Sequence, residues 1–151
     1  MSKKLQIESE SQMIQLGKSL ASNLVSGDLV VLDGLVGAGK TTLTKGIAQG
    51  LDITDQITSP TFVISRVHGS KSGKPDLVHV DAYRLGSITE VDSLDLESSL
   101  DNSITIVEWG VGLIEGLTDE NWLIKITRDV IVDSETREVE IFPPASRELS
   151  I

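Results

Sequence analysis

Apolar residues fall into two rhythms along the chain. Leu16, Leu20 and Leu24 recur every four residues, which lays one apolar stripe along a helix and predicts one from about Ser11 to Val25. Ser9 and Gln12 have the spacing of a capping box at its start, and Gly27 suits its end. A short strand, Lys4 to Ile7, is expected before it. Then "LVVL" (29–32) is an unbroken apolar run, the pattern of a strand covered on both faces. Leu43, Ile47 and Leu51 return to the helical spacing and line a second helix, with Gly50 near its end.

Further along, the rhythm shortens. "TFVISRVH" (61–68) and "DLVHVDAY" (76–83) flank the turn-rich "GSKSGKP", which predicts an antiparallel hairpin. "SITEVDSLDLESSL" (87–100) reads as one or two helical turns, with Ser87 and Glu90 as a second capping box. "SITIVEW" (103–109) is another buried strand. "NWLIKIT" (121–127) and "REVEIFP" (137–143) pair as a terminal hairpin around "RDVIVDSE". No repeat, low-complexity tract or dividing linker interrupts this order. Parallel core strands with hairpins attached predict a single α/β domain over residues 1–145, a mixed β-sheet flanked by helices. Residues 146–151 are expected to be a disordered tail.

Composition excludes several classes. A net charge of −10, from 13 basic and 23 acidic residues, argues against a direct grip on a phosphate backbone, which needs clustered Lys and Arg. "SKSGKP" is the one small basic cluster, at an expected hairpin tip. The absence of cysteine removes disulfides, thiolate metal sites and a cysteine nucleophile, and fits a cytosolic chain. No apolar run approaches the roughly 20 residues that span a membrane. The first residues lack the apolar core of a signal peptide, so none is expected.

The chemistry sits between the first apolar strand and the second helix. "GLVGAGKTTL" (34–43) meets the pattern G-x-x-x-x-G-K-[ST] through Gly34, Gly39, Lys40 and Thr41, with Gly37 in between. Glycines let the backbone turn its N–H groups toward an anion, and the helix that follows adds its positive N-terminal end. Lys40 would reach the β- and γ-phosphates of a nucleotide, and the Thr41 hydroxyl would ligate Mg²⁺. This loop, between an apolar strand and a periodic helix, predicts a P-loop NTPase-like fold. A second magnesium ligand is expected at the end of a neighbouring core strand. Glu108 ends the wholly apolar "ITIV" and is the better choice. Asp81, ending "DLVHV", is the alternative, as a contact to the metal through water or as the residue that orients the attacking water. Asp33, just before the loop, is read as assisting the turn.

Absences narrow the class further. There is no N-K-x-D guanine reader and no D-x-x-G switch, and the five arginines are scattered rather than gathered in a kinase-like lid. A small ATPase is left, with adenine favoured over guanine.

After "GAGKTT" come "SPTF" (59–62), "HVDAYRL" (79–85) and "VEWG" (107–110), and in this order they resemble the TsaE family, also called YjeE. These are bacterial ATPases needed for the threonylcarbamoyladenosine (t6A) modification of tRNA. The resemblance covers nearly the whole chain. It implies that Gly37, Ala38, Gly39, Lys40, Thr41 and Thr42 cradle ATP, and that Thr41 and Glu108 hold Mg²⁺. It also implies roles in hydrolysis for Lys40 and Asp81, and a place for Thr61 in a switch-like segment near the γ-phosphate. The start of the first helix, around Ser11, and Arg137 of the last hairpin are implied to approach the nucleotide. Trp109 is implied to lie near nucleotide or partner, whereas Trp122, inside a strand, reads as core. His79 reads as a structural histidine that hydrogen-bonds within its hairpin. Three departures from the family pattern stand out: Leu35 and Val36 where an acidic residue and leucine are usual, Ala82 where a larger apolar residue is common, and Thr136 before Arg137.

The resemblance implies a cytoplasmic ATPase, slow alone, that docks on the TsaD–TsaB pair and meets tRNA only through it. Two other readings fit the loop: a small kinase acting on a small molecule or protein, and a nucleotide-sensing module without useful hydrolysis. Acceptor phosphorylation would mark the first. Partner stimulation surviving in a hydrolysis-dead variant would mark the second.

Overall fold

A computed structural model of the chain describes residues 2–34, 39–54, 57, 65–81, 102–108, 121–128 and 136–151. Two helices and seven strands lie within these: β1 (Lys3–Ile7), α1 (Glu10–Ala21), β2 (Leu29–Asp33), α2 (Lys40–Gly50), β3 (Ser65–His68), β4 (Asp76–Asp81), β5 (Ser103–Glu108), β6 (Trp122–Arg128) and β7 (Arg137–Phe142). The strands form one sheet in the order β1-β7-β6-β2-β5-β4-β3. Its centre, β6-β2-β5-β4, is parallel, while β7 pairs antiparallel with both β6 and β1, and β3 with β4. The sheet is thus mixed, as the apolar runs and flanking hairpins imply.

The centre is dry on both faces. Val30, Leu32, Leu77, Ile104, Ile106, Ile124 and Ile141 join Leu16, Leu20, Leu43 and Ile47 of the helices in one core cluster. On the opposite face Leu29, Val31, Val80 and Val107 are also fully buried. Apolar burial stabilises by roughly 25 cal/mol per Å², so these short strands carry much of the core's driving force. The fully buried Trp122 lies in this core, as expected.

The two helices cross at glycines. A Cβ on Gly46 would sit 2.3 Å from the Ile14 carbonyl oxygen, and one on Gly17 would sit 2.6 Å from that of Leu43. A Cβ on Gly50 would meet that of Ala21 at 2.5 Å. With no side chain at these points the backbones touch, and α1 fixes where α2 lies. The sequence contains the spacing Gly46-x-x-x-Gly50, but the helical reading passed over its meaning.

The expected end of the first helix is corrected. Helix α1 stops at Ala21 rather than near Val25, because Ser22 Oγ and Asn23 Nδ2 both donate to the Ser19 carbonyl, at 2.7 and 3.0 Å. Gly27 does not end the helix. It turns the chain into β2 with φ of 96° and donates its N–H to Ser103 O at 3.0 Å. Residues 146–151 contact the rest of the chain. Arg147 donates to the Asp28 carboxylate and the Asn23 carbonyl and stacks 5.3 Å from the Trp122 ring, while Leu149 packs on the core. Ser150 and Asn23 exchange two hydrogen bonds. Composition hides this because the tail's anchor points lie over 100 residues away.

The hairpin tip also has a place. Ser72 Oγ donates to Asp52 at 2.7 Å, and Lys74 reaches the Gly50 carbonyl at 3.2 Å and the Asp52 carboxylate at 3.3 Å. A cation on the last carbonyls of α2 suits the negative end of the helix. The segment 87–100, with its proposed capping box, lies outside the described residues.

Candidate nucleotide site

Helix α2 begins without a cap. Its N-cap is Gly39, at φ 114° and ψ 15°, and its first turn holds no acidic residue. Glycine adopts this left-handed conformation without a Cβ penalty, and it offers no side chain to the first N–H groups of the helix. A helix start of this kind, with its positive dipole end, suits an anion. Helix α1 is built the other way. Ser9 Oγ accepts from Gln12 N–H at 3.2 Å, and Gln12 Oε1 accepts from Glu8 N–H at 2.7 Å. The expected capping box is present, displaced by one residue on its return bond.

Lys40 is nearly buried, 6% exposed, and its ammonium donates to the carbonyl of Gly34, the first glycine of the motif. The cation thus lies across the loop it is expected to serve. Thr41 and Thr42 follow on the half-buried first turn, and Thr44 Oγ1 secures that turn by donating to Lys40 O at 2.8 Å. Met13 of α1 comes within 3.1 Å of where a Cβ on Gly39 would stand. Sequence reading missed this contact, because nothing in the spacing of α1 shows which residue meets the loop.

Glu108 ends β5 opposite Leu32, two residues before Gly34, so strand pairing brings its carboxyl end beside the start of the loop. It is 3% exposed. Asp81 ends β4 directly opposite Glu108. The two candidate acids therefore share the end of the sheet from which the loop departs. Arg137 starts β7 at this same end, paired with Ile7 on one side and Arg128 on the other. It lines a shallow cleft of about 450 Å³ with Lys4, Gln6 and Glu138. Ser11 lies in the first turn of α1, just past Ile7. Gly37, Ala38, Thr61 and Trp109 lie outside the described residues.

Among the described residues, no group of three or more His, Cys, Asp or Glu gathers around one point. Magnesium needs no such cage; it takes one or two protein oxygens and completes its shell with phosphate oxygens and water. The Glu108 carboxylate and the Thr41 hydroxyl are hard oxygen donors of that kind. His79 sits beside Glu108, its Nε2 3.6 Å from Glu108 Oε2. It does not make the hydrogen bond within the hairpin that was expected: neither ring nitrogen has a partner among the described residues.

A glycine loop following the central strand of a mixed sheet with a parallel centre, opening a helix beside a strand-end acid, defines the P-loop NTPase class of fold. Comparison with known proteins makes this specific. The family described as "Threonylcarbamoyl adenosine biosynthesis protein TsaE" matches residues 7–139. A TsaE from Streptomyces coelicolor is 53% identical over 119 residues, covering 78% of this chain and 80% of that protein. One from Mycobacterium bovis is 44% identical over 131 residues, covering 82% and 77%. The crystal structure of Bacillus subtilis YdiB superposes with a TM-score of 0.77 at 31% identity, covering 97% of this chain and 88% of that one. The chain belongs to the TsaE family, whose role is in t6A biosynthesis on tRNA. Among the described residues, no helix is long and apolar enough to cross a membrane.

Proposed function

We propose that this chain is a Mg²⁺-dependent ATPase that supports t6A formation by docking on the TsaD–TsaB pair in the cytoplasm. One observation carries the catalytic reading: pairing of β5 with β2 brings the buried Glu108 beside the start of a glycine loop whose helix has no side-chain cap. Gly37, Ala38, Gly39 and the first N–H groups of α2 cradle the phosphates, with Thr42 on the same turn. Lys40 exchanges the Gly34 carbonyl for phosphate oxygens. Thr41 and Glu108 hold magnesium, which when bound neutralises charge between the β- and γ-phosphates. Asp81, opposite Glu108, orients the attacking water, and Thr61 contributes from the segment before β3. Ser11 and Arg137 contact the remainder of the nucleotide from the α1–β7 side.

The net charge of −10 fits a protein that leaves tRNA to its partners. Hydrolysis then resets the partner enzyme between cycles instead of driving bond formation. The test is phosphate release by the chain alone, then with TsaD–TsaB and tRNA. Slow release alone and marked stimulation by the complete set, abolished in Lys40→Ala, is the expected result. No stimulation with an active partner pair contradicts it, and phosphate transfer to an acceptor instead of water identifies a kinase.

A further inference from the structure

The strand face that carries Leu77, Ile104 and Ile106 is apolar up to its carboxyl end, where Asp81 and Glu108 lie, yet it also holds a fully buried imidazole. A buried polar group without a hydrogen bond disfavours the folded state, and a leucine in its place would carry no such penalty. His79 therefore calls for a reason beyond packing. Its surroundings supply one. His79 pairs with Ile106 in the β4–β5 register, so Glu108 is its diagonal neighbour on the same face. The 3.6 Å between Nε2 and Oε2 is slightly longer than a hydrogen bond, and both side chains are almost completely shielded from water. Outer partners of this type hold a ligating carboxylate in one orientation and strengthen its grip on metal.

We propose that His79 is a positioning residue for the metal-holding carboxylate. Its Nε2–H engages one oxygen of Glu108 and leaves the other for magnesium. The inference rests on the reading of Glu108 as a magnesium ligand, and the two can fail separately.

The test is a calorimetric titration of Mg²⁺ into each variant at fixed ATP, alongside ATP binding without metal. In His79→Leu, Mg²⁺ affinity is expected to fall about 10- to 100-fold while metal-free ATP affinity holds. His79→Gln, which returns an N–H donor near the Nε2 position, is expected to recover most of that loss. A purely structural histidine predicts otherwise: Mg²⁺ affinity unmoved in a folded His79→Leu, or lost equally in both variants. Either result overturns the proposal. Should His79→Leu not fold, the ring ¹⁵N spectrum of metal-free wild type decides. A proton on Nε2 whose resonance moves in Glu108→Gln supports the pairing; a proton on Nδ1, or no movement, refutes it. If Glu108→Gln leaves Mg²⁺ affinity intact, the metal reading of Glu108 falls and this role of His79 with it. If Glu108→Gln loses affinity and folded His79→Leu does not, only the role of His79 falls.

Discussion

Helices α1 and α2 lie side by side, backbone against backbone, yet their first turns are opposites. Ser9 and Gln12 close the start of α1 with two side-chain hydrogen bonds. At the start of α2 stands Gly39, with no side chain and a left-handed backbone, followed by a turn without acid. A helix start without a side-chain cap forgoes the stability of about 1 kcal/mol that a capping residue gives. That sacrifice makes sense where another molecule completes the turn. Within one short chain, α1 has a start closed by its own side chains and α2 a start that the proposed function gives to phosphate.

The most damaging change should be at the contact that joins them. Gly46→Ala places a Cβ against the backbone of Ile14, and overpacking of this severity is expected to cost about 3 kcal/mol in urea-unfolding experiments. Gly39→Ala forces alanine into a left-handed backbone against Met13. ATP affinity is expected to fall about 100-fold as the loop shifts, with the circular dichroism spectrum retained. Ser9→Ala sharpens the contrast: stability falls by about 1 kcal/mol, yet ATP affinity stays within roughly threefold. An equal loss of ATP affinity in the last two variants would erase the distinction between the helix starts.

The smallest effect lies at the far end of α2. Hydrogen bonds from Ser72 and then Lys74, with the charge of Lys74, hold the Asp52 carboxyl below its ordinary value near 3.8. A depressed folded-state value means the contribution is present above the unfolded value and disappears as pH falls through the folded one. Asp52→Asn retains a residue type that tolerates the φ of 58°. Wild type is therefore expected to exceed it slightly in stability at neutral pH. The difference should shrink as pH falls below the ordinary carboxylate value and vanish once Asp52 is protonated in the folded state, which unfolding midpoints across pH would show.

How much of this was legible in the sequence depended on whether the relevant contact was local. Apolar runs such as "LVVL" gave away strands buried on both faces, and the four-residue leucine spacing gave away the helices. The glycine loop and the strand-end position of Glu108 could be read because motif and strand are continuous in sequence. Contacts between distant segments could not be read. The anchoring of the tail by Arg147 joins residues 119 apart, and the glycine crossing appears only once two helices are laid together. His79 is the instructive case: its place in a strand was clear, but not that β5 would bring Glu108 beside it.

The most direct measurement is a calorimetric titration of ATP with Mg²⁺ into wild type and into folded Lys40→Ala. If the open start of α2 is a phosphate site, wild type binds one ATP per chain and Lys40→Ala loses about 100-fold or more in affinity. Equal binding by the two proteins would contradict the account.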